Sequence, residues 1–164
     1  MKILSFLINS NLFISLAAVF FAIETQIQLG LSPQWHPYLF IIFFATLLEY
    51  NLHRIIALFT NKNALNHERH IWVKDRSLLF YSLIIFSIIG FTISLFLATQ
   101  KVLMVLAPIA ILTIFYSVPL FKKLKYIFRL RQIPFLKIFL IAFIWSSSTI
   151  LLPIIQTNHV HNTT

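Results

Sequence analysis

Glu49, Asn51, His53 and Arg54 put a carboxylate, an amide, an imidazole and a guanidinium into six consecutive positions of an otherwise apolar stretch, Tyr38 to Leu58. Each ionised group in such a stretch costs about 2.5 to 3.5 kcal/mol even on lenient insertion scales, so partners or water must compensate for it. On a helix Glu49 and His53 are four residues apart, as are Tyr50 and Arg54, so the two pairs occupy faces about 100° apart. Asn51 adds a donor and an acceptor close by. Two readings compete. In one, Arg54 extends along its own stem to the headgroups while Glu49 pairs with His53 or with a cation of another helix. In the other, the group lines a wet cavity that binds something polar. Glu49 and His53 alone are too few ligands to define a metal site.

The elements that must position these residues follow from composition. The chain is 59% hydrophobic and 10% charged, with a mean hydropathy of +0.88, far above the soluble norm. Segments of about 20 apolar residues, the length that crosses a hydrocarbon core of about 30 Å, fall at Ile3 to Ile23, Tyr38 to Leu58, Ser77 to Leu97, Val102 to Phe121 and Ile133 to Ile155. Strands of a membrane barrel would be about half as long and alternate in polarity. The predicted fold class is all-α, a polytopic membrane helical bundle of about five transmembrane helices in one domain, residues 1–164. Ile3 to Ile23 is too long for the core of a signal peptide and reads as a retained helix.

With the amino terminus cytoplasmic, twelve of the 13 Lys and Arg fall on the inner side and Lys101 alone faces out, a near-complete positive-inside bias that puts the carboxyl terminus outside. The net charge of +9 therefore follows from insertion into the inner (cytoplasmic) membrane and gives no argument for nucleic acid. Absence of cysteine excludes thiolate chemistry and disulfides.

A second basic region follows the fourth span. Tyr116, Ser117, Val118 and Pro119 lead into Lys122, Lys123, Lys125, Arg129 and Arg131, five cations in ten residues. Pro119 disfavours helical geometry just before it, and Lys and Arg together suit phosphate; anionic lipid headgroups are the blander partner. Pro134 marks the start of the fifth helix. The hydroxyls of Ser146, Ser147, Ser148 and Thr149, like Asn9, Asn11 and Ser15 in the first span, read as groups that bond to their own helix or admit a neighbour. His67, Glu68, Arg69 and His70 lack zinc-protease spacing.

Taken together, Tyr50-Asn51-x-His53-Arg54, Tyr116-Ser117-x-Pro119, the basic loop and Arg131-x-Ile133-Pro134-Phe135-Leu136-Lys137 resemble the UbiA-type intramembrane prenyltransferase superfamily. That resemblance implies a nine-helix fold in which a prenyl diphosphate and an aromatic or quinone-precursor acceptor meet in a cytoplasm-facing cavity. It also implies two Asp-rich motifs holding Mg²⁺. Laid onto this chain, Asn51 takes the position of the first carboxylate and Arg54 that of the second, so neither carboxylate of that motif is present; the second motif would lie beyond the fifth helix. The candidate residues for a diphosphate or other polar head group are Glu49, Asn51, His53, Arg54, Tyr116, Lys122, Lys123 and Arg131; of these, Tyr116 and Lys122 or Lys123 match the family by residue type. The expected protein is a degenerate or incomplete relative, with Mg²⁺ expected in the family but unsupported by these residues. The alternatives are a non-catalytic protein binding prenyl diphosphate or phospholipid, or a small transporter subunit. Five helices around a polar cavity also predict association into homo- or hetero-oligomers.

Overall fold

The computed structural model describes residues 2–60, 72, 73, 75–117, 121–123, 126–128 and 134–155. Its architecture is helical. In chain order the elements are α1 (Lys2–Asn9), α2 (Leu12–Gln28), α3 (Pro37–Thr60), α4 (Ser77–Leu97), α5 (Gln100–Ser117), β1 (Phe121–Lys123), β2 (Tyr126–Phe128) and α6 (Pro134–Ser146), followed by a π turn at Ser147–Leu151. Pro37–Ala57, Ser77–Leu97 and Ile138–Ile155 are each long and apolar enough to cross a membrane, and the bent pair α1 and α2 makes a fourth if it counts as one span. The chain is accordingly a multi-pass membrane protein in its length and apolarity pattern. The apolar part of α5, Gln100–Ile114, is shorter.

One contact unit comprises Met1–Phe21 and Gln34–Leu97. Here α3 packs along α4. Phe80, Ile84 and Val73 are buried, with Leu48, Ile55 and Trp72 against them. The two helices approach closely where the Phe44 ring lies over Gly90, leaving no room for a Cβ at that glycine. Phe44 is held in turn edge-on to Phe86, ring centroids 5.3 Å apart. Ser87 and Ser94 are buried on α4 and return their hydroxyls to the carbonyls of Leu83 and Gly90, at 2.7 and 2.6 Å, so each buried hydroxyl is satisfied within its own helix. Leu78, Ile85, Ile89 and Phe96 stand exposed on α4, as side chains facing acyl chains do.

The expected first span, Ile3 to Ile23, is not one helix. It breaks at Ser10 and Asn11, and α1 and α2 meet at 79°. Asn11 has φ 64°, a left-handed conformation that asparagine tolerates better than other non-glycine residues. Three consecutive side chains, Asn9, Ser10 and Asn11, can bond to backbone in place of the helical ladder. The Ser10 Oγ donates to the Leu7 carbonyl at 3.3 Å and accepts from the Leu12 amide at 3.4 Å, and the Ser15 amide donates to the Asn11 carbonyl at 3.2 Å, starting α2.

The other unit comprises Ala22–Pro33 and Ala98–Thr164. α2 ends there in a Schellman turn: Gly30 has φ 73°, its amide bonds to the Ile27 carbonyl and that of Leu31 to the Gln26 carbonyl, both at 2.9 Å. α5 contains Pro108 and packs on α6 and the π turn. The π turn precedes Pro153, which has no amide to give the Thr149 carbonyl and whose ring would strike it in an α turn; the wider turn relieves both. Ser148 and Thr149 return their hydroxyls to the carbonyls of Ile144 and Trp145, at 2.7 and 2.8 Å. The connection read from sequence as a plain basic loop carries a short antiparallel ribbon, with Phe121 paired to Phe128, Lys122 to Ile127 and Lys123 to Tyr126.

Candidate functional site

The polar cluster of α3 divides between two faces of the helix. Asn51 is wholly buried and Arg54 is 8% exposed; both turn toward the break between α1 and α2. An interrupted helix frees backbone carbonyls, and where they are buried other groups of the protein must take them up. Arg54 and Asn51 do so. The Arg54 Nη1 donates to the Asn9 carbonyl, and its Nη2 donates to Asn11 Oδ1 at 3.2 Å. The Asn51 Nδ2 donates to the Ser10 carbonyl at 3.3 Å and to the Leu47 carbonyl of its own helix at 2.9 Å. Its Oδ1 accepts from Asn11 Nδ2 at 2.9 Å. The Ser15 Oγ donates to the Asn11 carbonyl at 2.9 Å. Both amide hydrogens of Asn51 and its oxygen thus have partners, and Arg54 places a cation at the carboxyl end of α1, where the helix dipole favours it.

Glu49 and His53 lie on another face, as their four-residue spacing predicts. His53 Nε2 stands 3.5 Å from Glu49 Oε1, with the two side chains 20% and 29% exposed respectively. This pair keeps partial access to the surroundings while Asn51 and Arg54 have almost none. The four residues singled out from sequence are therefore two sites: a buried clasp that includes Asn9, Ser10, Asn11 and Ser15, and a half-buried acid and base.

The clasp was missed in part. Asn11 and Ser15 read from sequence as groups that bond to their own helix or admit a neighbour; Ser15 bonds locally and Asn11 reaches α3, but the break in the helix between them was not expected. The run Asn9-Ser10-Asn11 was the available signal, because three adjacent side chains that compete with helical bonding are a place for a helix to stop. Of the remaining expected site residues, Arg131 lies outside the described residues, as do the side chains of Tyr116, Lys122 and Lys123.

Magnesium can be tested against the donor set. Mg²⁺ demands an octahedron of hard oxygens, commonly carboxylate and phosphate. At the two positions that the UbiA resemblance gives to carboxylates stand Asn51, whose only side-chain oxygen faces Asn11, and Arg54, a cation bonded to backbone. These residues do not fit the ion. Among the described residues no three His, Cys, Asp or Glu gather in one place.

Outside the spans, His36 precedes α3 and stacks on Tyr38 with ring centroids 5.8 Å apart. Desolvation by burial lowers its pKa below the ordinary 6.5. The hydroxyl of Thr99, before α5, is buried with no hydrogen-bond partner. No family model, curated protein or solved structure matches the chain.

Proposed function

We propose that the chain is a UbiA-related protein of the cytoplasmic membrane, with five spans and its amino terminus inside, that binds the phosphorylated head of a lipid without metal-dependent chemistry. The observation that carries this reading is the use of Asn51 and Arg54. The motif that would grip Mg²⁺ and diphosphate in a prenyltransferase is here bonded to the backbone of a broken helix, and so serves the fold. Anion recognition then rests on the second basic region, where Lys122, Lys123 and Arg131 supply point charges and a planar fork suited to phosphate. Tyr116 is its neutral hydrogen-bonding member. Glu49 and His53, half-buried on α3, add polar groups with access to a ligand.

Purified protein in nanodiscs, incubated with radiolabelled prenyl diphosphate with and without EDTA, tests this. Binding is expected to survive EDTA and to fall at least about tenfold when Lys122, Lys123 and Arg131 are changed together to alanine, the loss of about 1.4 kcal/mol or more of charge-assisted bonding. Competition by phosphatidic acid reads whether the prenyl chain or only the phosphate is recognised. Binding that requires Mg²⁺, or prenyl transfer to an aromatic acceptor, would overturn the reading in favour of the enzyme. Absence of binding to any phosphorylated lipid would overturn it altogether.

A further inference from the structure

We infer that α1 is not the first half of a span but an in-plane foot, lying in the boundary between headgroups and acyl chains on the Lys2 side of the membrane. Four observations combine. First, α2 has 17 residues, about 25 Å of helix; its apolar part, Leu12 to Ile23, enters the hydrocarbon core from the break and Glu24 to Gln28 carry it on toward the far headgroups. Second, α1 leaves it at 79°, so if α2 crosses the bilayer α1 runs nearly parallel to its surface.

Third, the depth of the break is set by α3. Asn51 and Arg54 grip the backbone of Asn9 and Ser10, and they stand about 20 and 24 Å along α3 from Tyr38. The break therefore sits near the end of α3's crossing, not at its middle. Fourth, the side chains of α1 are sorted. Ile3, Leu4 and Ile8 are exposed at 78%, 56% and 40% and with Leu7 form one arc of the helix; Ser5 and Asn9 form the arc beside it. Phe6 is turned to Trp72, ring centroids 6.2 Å apart. Trp72 also has the Arg76 guanidinium 6.0 Å over its ring, the kind of aromatic and cation pairing found where a span meets its interface.

An apolar arc beside a polar one, at grazing angle and interfacial depth, fits the acyl chains below and the headgroups above a leaflet surface. The apolar arc is thus covered by lipid, and the clasp on α3 fixes the foot to the body of the protein. One consequence is that the break cannot straighten without releasing Arg54 from the Asn9 carbonyl.

The chain has no cysteine, so single cysteines at Ile3, Leu4, Ser5 and Ile8, each exposed, accept nitroxide labels without disturbing buried contacts; Phe20, exposed on α2, gives a reference within the bilayer. In liposomes the ratio of oxygen to nickel-complex accessibility reports depth. Leu4 and Ile8 share a face, and an upright α1 separates them by about 6 Å of depth, whereas at 79° they differ by about 1 Å. The expected result is equal depth at Leu4 and Ile8, a drop at Ser5 toward water, and a deeper Phe20. A steady gradient from Ile3 to Ile8 would overturn the inference, because α1 would then continue the span. Water-level accessibility at all four α1 sites, or a Phe20 as shallow as α1, would also overturn it.

Discussion

Two faces of α3, within six residues of each other, meet different fates. Asn51 and Arg54 are buried and bonded to another segment's backbone, while Glu49 and His53 pair with each other and stay partly open. The difference teaches that a polar residue in a membrane-crossing helix answers to whatever unsatisfied group its face meets. A broken helix lies on one side, and its freed carbonyls take the donors. On the other face Glu49 pairs with His53, one turn on along the same helix. Ionisability alone therefore does not mark a ligand site; bonding to an interruption in the neighbouring backbone distinguishes a clasp from a candidate site.

The largest way to break the comparison is Arg54→Met. It removes the donors to the part-buried Asn9 carbonyl and to the buried Asn11 Oδ1, and an orphaned buried acceptor costs about 1 to 3 kcal/mol. A loss of about 2 to 4 kcal/mol is expected from reversible unfolding in bicelles. Glu49→Gln, on the open face, serves as the reference, and equal losses for the two would erase the distinction between the faces.

Next in size is Gly90→Leu, which forces side-chain atoms into the Phe44 ring and is expected to lower stability by about 1 to 3 kcal/mol through overpacking. It sharpens the comparison by separating apolar packing from polar bonding on the same helix. Phe44 and Arg54 are about 15 Å apart along α3, so Gly90→Leu and Arg54→Met should add within about 0.5 kcal/mol. A larger departure would mean that the clasp and the α3–α4 packing form one cooperative unit.

The second and third spans were legible because apolar length is a strong signal, whereas the predicted fourth, Val102 to Phe121, corresponds to a shorter apolar stretch, Gln100–Ile114. Ser77 to Leu97 agrees end to end with α4, Tyr38 to Leu58 differs from α3 by one or two residues, and Pro134 opens α6 as a proline at a helix start should. The break at Asn11 was not legible from hydropathy, since Asn9, Ser10 and Asn11 are flanked by apolar residues that sustain the average on both sides. Its signal lay in side-chain bonding competition, which sets a possibility but not an outcome; the outcome needed Asn51 and Arg54, 40 to 45 residues away in sequence. The pairing of Glu49 with His53 was readable because spacing within one helix fixes it. The π turn before Pro153 was not, because a proline near the end of an apolar run is compatible with a kink, a stop or a widened turn.

A double-mutant cycle on Asn11 and Asn51 probes the clasp more finely. Their amides bond directly at 2.9 Å, and polar couplings between membrane helices run to about 0.6 kcal/mol on average and about 1.7 at most. A coupling in that range is expected from Asn11→Ala, Asn51→Ala and the double variant. A coupling near zero would assign the clasp to Arg54 alone. The open face should yield less still: Glu49→Gln with His53→Gln is expected to show a coupling of no more than about 0.5 kcal/mol, as for other four-residue pairs on partly exposed helices. A value above that of Asn11 and Asn51 would reverse the ranking of the two faces.

The smallest effect is a pH dependence that arises away from both faces of α3. His36 lies outside the spans, half-buried beside Tyr38, and burial lowers its pKa from 6.5. The unfolded chain therefore binds a proton at His36 more readily than the folded one, and the sign follows: stability rises with pH while the unfolded state holds more protons. Above pH 6.5 the imidazole is neutral in both states and exerts no penalty; as pH falls from 6.5 through the lower folded value, the folded state is progressively disfavoured. Unfolding measured between pH 5 and pH 8 should show this slope, and His36→Gln should flatten it. A slope that persisted in His36→Gln would overturn this assignment, because the proton uptake that disfavours the folded state would then lie elsewhere than at the buried ring beside Tyr38.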